Sequence, residues 1–268
     1  MTTAGHDYAG ATPFDEVIES ILAERYHNHR VEQHSDLVCS GILRDLQGQC
    51  PQFASDCQME LVAAWQNVPA PGARGRRMDL FVGESGLEGK LDPNAARICI
   101  ENKSVITAHR NKTNRLDDLG EVMRGIHRVK PECVLVATVL VGTAQAVLNV
   151  PDHVKKLYRN EPSRFDSEVK PRLSTGDESL WTEFEFAVSK NRAVDPQKTI
   201  DAFRRIPTRP PGHTHALGYD FMMLVPVFID NVNPPRIERD NQFGIDVDKE
   251  YRRMLDTICQ AYVTRWHL

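Results

Sequence analysis

Residues 133–142, CVLVATVLVG, contain one polar side chain, Thr138, and so have no face to offer to water. A strand of that composition must be covered on both sides, which points to a parallel sheet with helices packed against each face. The flanking sequence supplies the rest of such a unit. Upstream, residues 96–106 (ARICIENKSVI) read as a strand by their β-branched content. Between the two, residues 111–129 (NKTNRLDDLGEVMRGIHRV) place Leu116, Leu119, Val122, Met123 and Ile126 at helical spacing. Strand, helix and buried strand in this order form a crossover, so the expected class is α/β.

The remaining chain is read around that unit. The first third is expected to be helical: residues 13–26 place Phe14, Val17, Ile18, Ile21 and Leu22 on one face. A second helix over 35–46 is expected to be capped by Ser35 or Asp36 and ended by Gly48 and Pro51, and a third is expected over 51–66. Residues 67–75 (NVPAPGARG) read as a loop and 76–84 (RRMDLFVGE) as a short strand. The 151–211 stretch, with helical pieces at 179–190 and 195–206, reads as an insertion or subdomain. Residues 219–230 form a late strand whose Pro226 places it at a sheet edge or bulge, and a helix closes the chain from about Asp246 to Trp266. The expected whole is a single elaborated domain: N-terminal helices (1–67), a core (68–150), the insertion (151–211) and a C-terminal strand and helix (212–268), around a mixed sheet of about four or five strands.

The net charge of −4 argues against a protein that coats nucleic acid through its overall field. It leaves room for one basic groove, and Arg74, Arg76, Arg77 and then His109, Arg110, Lys112, Arg115 are the local basic runs that could line it. The six cysteines show no CxxC pair, and several sit in apolar segments, so they are expected to be reduced core residues. No basic stretch followed by an apolar run opens the chain, and no segment approaches the ~20 apolar residues of a membrane span. A cytoplasmic protein with no membrane partner is expected. GxxxxGK[ST], GxGxxG and GxSxG motifs are absent from the sequence, which removes the usual grounds for a nucleotide cofactor or a serine nucleophile. His27, His29 and His34 lack accompanying zinc-spaced ligands and are read as a polar interhelical loop, and His213 to His215 as another loop.

Chemistry is concentrated in RRMDLFVGE and ICIENK. Alternation along the second strand turns Cys99, Glu101 and Lys103 to one face and Ile98, Ile100 and Asn102 to the other. A carboxylate and an ammonium ending an apolar strand carry a desolvation cost that a metal or a second carboxylate offsets, and Asp79 on the preceding strand is that second acid. Two acids and a lysine suit phosphodiester hydrolysis, because hard divalent cations take oxygen ligands and keep waters for substrate and nucleophile. In that scheme Asp79 and Glu101, with the backbone carbonyl of Asn102, hold the ion. Lys103 orients or deprotonates the attacking water and steadies the charge on phosphorus.

Met78-Asp79 followed by Glu101-Asn102-Lys103 resembles the signature of the PD-(D/E)XK nuclease superfamily, although the proline before the aspartate is missing. The likeness covers roughly the middle third of the chain, and the order of helix, Asp strand, Glu-x-Lys strand, helix and strand agrees with that family's core. It implies a restriction-endonuclease-like fold and a magnesium-dependent endonuclease, with manganese able to substitute, acting on double-stranded DNA. It also implies a further acid from a preceding helix, for which Glu60 is the candidate. A type II restriction endonuclease working as a homodimer on a palindromic duplex is the first expectation. A structure-selective repair or recombination nuclease and a catalytically inactive DNA-binding relative are the alternatives. The polar run His109, Arg110, Asn111, Lys112, Thr113, Asn114 and Arg115, at the start of the helix after the lysine, is the expected contact with the DNA backbone. Capping of that helix by Asn111 or Thr113 is the competing account.

Overall fold

The computed structural model describes residues 11–24, 32–85, 91–106, 109–149 and 187–267, with scattered positions between 151 and 186. Its center is a six-stranded mixed sheet. The strands are β1 (Val62–Pro69), β2 (Arg77–Ser85), β3 (Leu91–Val105), β4 (Val134–Gly142), β7 (Phe221–Phe228) and β8 (Arg236–Ile237), in the spatial order β1-β2-β3-β4-β7-β8. β1, β2 and β3 form an antiparallel meander, β3, β4 and β7 run parallel, and β8 returns antiparallel on β7. A separate two-stranded ladder joins β5 (Ala146–Asn149) to β6 (Ala187–Lys190).

Helices cover both faces. On one lie α1 (Pro13–Glu24), α2 (Glu32–Gln49), α3 (Pro51–Gln58) and the long C-terminal α6 (Val247–Trp266); on the other lie α4 (Lys112–Val129) and α5 (Asp195–Phe203). β4 is buried along its length except for the half-buried Leu140, as a strand with no polar face requires. The crossover β3-α4-β4 follows the spacing of its apolar residues, with Leu119, Val122, Met123 and Ile126 buried against the sheet. α6 begins where Asp246 accepts a hydrogen bond from the Lys249 amide at 3.0 Å, an N-cap one residue before the first helical turn. Buried polar groups tie the first helical layer together: Tyr251 donates to Asp45 at 2.7 Å and Tyr262 to Asp56 at 2.5 Å, and Asp56 also accepts from Arg97 of β3.

Several expectations change. The third helix stops at Gln58, and LVAAWQ is a strand, because a Schellman turn closes the helix: the Leu61 amide donates to Asp56 O at 2.9 Å and the Glu60 amide to Cys57 O at 3.1 Å. α2 starts at Glu32, before Ser35 and Asp36, so neither caps it, and His34 lies within this helix, buried rather than in a loop; His27 and His29 fall outside the described residues. Of the 179–190 piece, residues 187–190 form a strand instead of a helix, since pairing with β5 outweighs local spacing. Ile200 and Phe203 of α5 join the main core, so the last part of the 151–211 stretch packs with it. β7 lies next to the edge, and its Pro226 carbonyl accepts from the Glu238 amide at 2.9 Å.

The cysteines are not all reduced: Cys50, just ahead of α3, forms a disulfide with Cys259 of α6, while Cys39, Cys57, Cys99 and Cys133 are free. The bridge staples two helices of the same layer. Among the described residues, no helix is long and apolar enough to cross a membrane.

Candidate active site

The site lies on the α4 side of the sheet where β2 and β3 run together. Their antiparallel register pairs Phe81 with Cys99 and Leu80 with Ile100, and one further step sets Asp79 opposite Glu101. Directly opposed residues in an antiparallel pair share a face, so the two carboxylates and Lys103 meet although 22 positions of chain separate the acids. Asp79 Oδ2 accepts from the backbone amide of Asn102 at 2.6 Å, which fixes its carboxylate against β3. The arginines just ahead of it turn elsewhere. Arg76 reaches Asp118 and Glu121 of α4, at 2.8 and 2.6 Å, and Arg77 bonds Asn67. Asp79 is thus left to the site rather than neutralised by its neighbours.

Glu101 is 2% exposed. Its Oε1 accepts from the Lys103 ammonium, but its Oε2 is buried without a partner among the described residues. Burial pushes its carboxyl up to about 7, with Asp79 and Asp118 adding in the same direction and Lys103 opposing. A carboxylate held this way, with one oxygen unsatisfied, costs free energy that a bound cation would remove. Asp118 is a third acid in the neighbourhood that the strand motif does not reveal. Its proximity depends on how α4 packs, and in sequence it is one more charge in the first turns of a helix.

Asn102 faces away, as alternation requires. Its amide nitrogen donates to Ser35 Oγ at 2.8 Å, and its oxygen accepts from Thr138 at 2.7 Å, bolting β3 to α2 and β4. Only its backbone carbonyl is left as a candidate ligand. The fit to magnesium rests on the donor set: two carboxylates, one with a buried oxygen that has no partner among the described residues, since this ion commonly takes one or two carboxylates and fills its octahedron with water and substrate. Among the described residues, no group of three or more His, Cys, Asp or Glu side chains is placed to hold a metal ion.

Two expected contributors lie elsewhere. Glu60 occupies the left-handed position of the Schellman turn, with φ +57°, exposed, beside the end of β1 that pairs with Glu84. Asp79 is five residues away along β2, about 17 Å at strand rise, so Glu60 cannot join it. His109 is buried, with one ring nitrogen on Thr199 Oγ1 at 2.7 Å and the other on Gly142 O at 2.9 Å, and burial lowers its pKa. It locks the turn ahead of α4 to α5 and β4 and has no nitrogen left for DNA. Asn111 and Thr113 are exposed, and Lys112 and Arg115 partly so; Arg115 sits 3.3 Å from Asp118. Asn111 makes no side-chain cap bond. The Arg110 side chain lies outside the described residues.

Compared with known proteins, the chain matches no protein-family model, no curated protein and no solved structure.

Proposed function

We propose that this chain is a magnesium-dependent endonuclease that hydrolyses DNA phosphodiester bonds, with Asp79, Glu101 and Lys103 as its catalytic core. The observation that carries the reading is the buried, half-satisfied Glu101 carboxylate set opposite Asp79 and bonded to Lys103. Structural ion pairs are normally satisfied on both oxygens when buried this deeply. Asp79, Glu101 and the Asn102 carbonyl would hold the cation, which when bound polarises the phosphoryl oxygen and makes its water a better nucleophile.

The chain's own groups do the rest. Asp79 is oriented by the Asn102 amide before substrate arrives, so its geometry costs nothing during the reaction. Lys103 lies on the same face with its ammonium on Glu101 Oε1, and would orient the attacking water and steady the negative charge on phosphorus. Water adds to phosphorus and releases a proton to solvent, the bond to the leaving sugar oxygen breaks, and that oxygen takes up a proton in turn. Glu101 must be deprotonated to bind a cation, so metal affinity rises with pH around neutrality.

Within this class, sequence-specific cutting of a palindromic duplex by a symmetric homodimer is the favoured form, with manganese able to replace magnesium. The test is digestion of unmethylated phage DNA with and without magnesium, using the native protein and folded Glu101→Ala and Lys103→Ala variants. Discrete magnesium-dependent fragments that disappear in both variants support the proposal. A smear that disappears in both moves the assignment to a structure-selective repair nuclease, and no cleavage of duplex or branched DNA leaves a DNA-binding protein without catalysis.

A further inference from the structure

Beside the active site, on the same face, the loop between β1 and β2 folds onto α4. Gly72, at φ +67°, packs against Gly125, where any Cβ would collide with the Gly125 carbonyl oxygen, and a Cβ on Gly125 would lie 2.8 Å from Ala73. The Ala70 amide donates to Arg76 O at 3.0 Å and the Arg76 amide to Ala73 O at 3.1 Å, which holds the loop in shape. The two glycines therefore bring backbone to backbone and leave a cavity of about 260 Å³ walled by Arg74, Arg76, Arg124, Arg128 and Glu121. Arg76 is engaged by Asp118 and Glu121. Arg74, Arg124 and Arg128 are exposed and form no ion pair with a described carboxylate. In a chain of net charge −4, this leaves an uncompensated cluster of guanidinium groups around one preshaped hollow.

We infer that this arginine pocket binds phosphates of the DNA backbone next to the bond being cut. The inference rests on the nuclease reading and names its substrate contact. Guanidinium forks match phosphate oxygens in pairs, and a multiply charged strand is the ligand that such a cluster of arginines suits. Position agrees: Arg76 joins the pocket to Asp118, which also acts on Glu101, and Gly125 lies about 10 Å along α4 from Asp118 at 1.5 Å per residue. At 3.4 Å per nucleotide, that is a reach of about three nucleotides from Asp118, the acid whose charge acts on Glu101. The pocket also replaces His109 as the source of backbone contact, since His109 is spent inside the fold.

Fluorescence anisotropy of a fluorescein-labelled duplex, read in EDTA to prevent cleavage and over a series of salt concentrations, tests the inference. The comparison is between the native protein, Arg124→Gln/Arg128→Gln and the control Arg252→Gln/Arg253→Gln on α6 across the sheet. The expected result is at least about tenfold weaker binding by the pocket variant near 0.1 M salt and a salt slope shallower by about 2, one unit for each phosphate no longer neutralised, with the control near native. Equal binding by pocket variant and native protein overturns the inference, and so does an absence of duplex binding by the native protein. A pocket variant that no longer binds tripolyphosphate but keeps its duplex affinity also overturns it and makes the hollow a site for small anions. Failure of the nuclease reading looks different: the native protein and pocket variant then differ in duplex binding as expected, yet neither cuts in magnesium.

Discussion

Replacing Glu101 with glutamine is expected to stabilise the metal-free protein at alkaline pH while abolishing cleavage. The carboxyl titrates at about 7 in the folded state against an ordinary value of 4.5. Between those values, the folded chain keeps a proton that the unfolded chain has released, so its contribution to stability is full below pH 4.5 and falls as pH rises through 7. At 1.36 kcal/mol per unit, the loss by pH 8 amounts to about 3 kcal/mol, of which under 1 is already present at pH 5. Glutamine has the same shape and no such loss. The offset from exchanging the protonated carboxyl for an amide is independent of pH, and the ion pair that Lys103 gains when Glu101 ionises is already contained in the value of about 7, so the informative quantity is the change in the variant-minus-native difference. It should grow by about 2 kcal/mol from pH 5 to pH 8, roughly 5 °C in melting temperature for a chain of this size. Thermal melts of both proteins at the two pH values measure it, and added magnesium should raise the native melting temperature at pH 8 without moving the variant. A difference that stays constant, or shrinks toward pH 8, would refute the view of Glu101 as a buried carboxylate held ready for a cation.

Glu60→Gly should stabilise the fold by about 1 kcal/mol in urea unfolding, because the residue sits at φ +57° in a helix-ending turn, and should leave cleavage unchanged; a fall in activity would restore Glu60 to the site. His127 is buried with neither ring nitrogen bonded among the described residues, and burial, helped by Arg209 and Arg265, lowers its pKa to about 4. Its stabilising contribution is complete above pH 6.5 and drains away toward pH 4, so His127→Leu should lose about 2 kcal/mol less than the native protein between pH 7 and pH 5 in urea titrations; parallel losses would contradict this. Thiol titration of the unfolded, unreduced chain should find four free cysteines of the six, and reduction of Cys50–Cys259 should lower the unfolding free energy by about 2–4 kcal/mol; six titrating thiols would show the pair unbridged.

What the sequence by itself determined follows from local periodicity and composition. A strand without a polar face has to be central, so CVLVATVLVG required covering layers and a crossover whatever the rest of the chain does. Alternation along ICIENK likewise set Glu101 and Lys103 on one face and turned Asn102 to the other. Tertiary structure decided everything that depends on partners distant in sequence. A local helical pattern ran through MELVAAW because nothing nearby shows that Glu60 can adopt a left-handed turn and release the next residues to pair with β2. His109 in a basic run looks like a DNA contact until Thr199 and Gly142, from elements 90 and 33 residues away, occupy both of its nitrogens. The Cys50–Cys259 bridge spans 209 residues, and no spacing rule connects its ends. The arginine pocket has the same origin, because Arg74 and Arg128 meet only where Gly72 and Gly125 let two backbones touch. Side-chain direction along one strand is a short-range property that a sequence displays; burial, partner choice and local charge balance are sums over the folded chain, and only the packing of distant segments sets them.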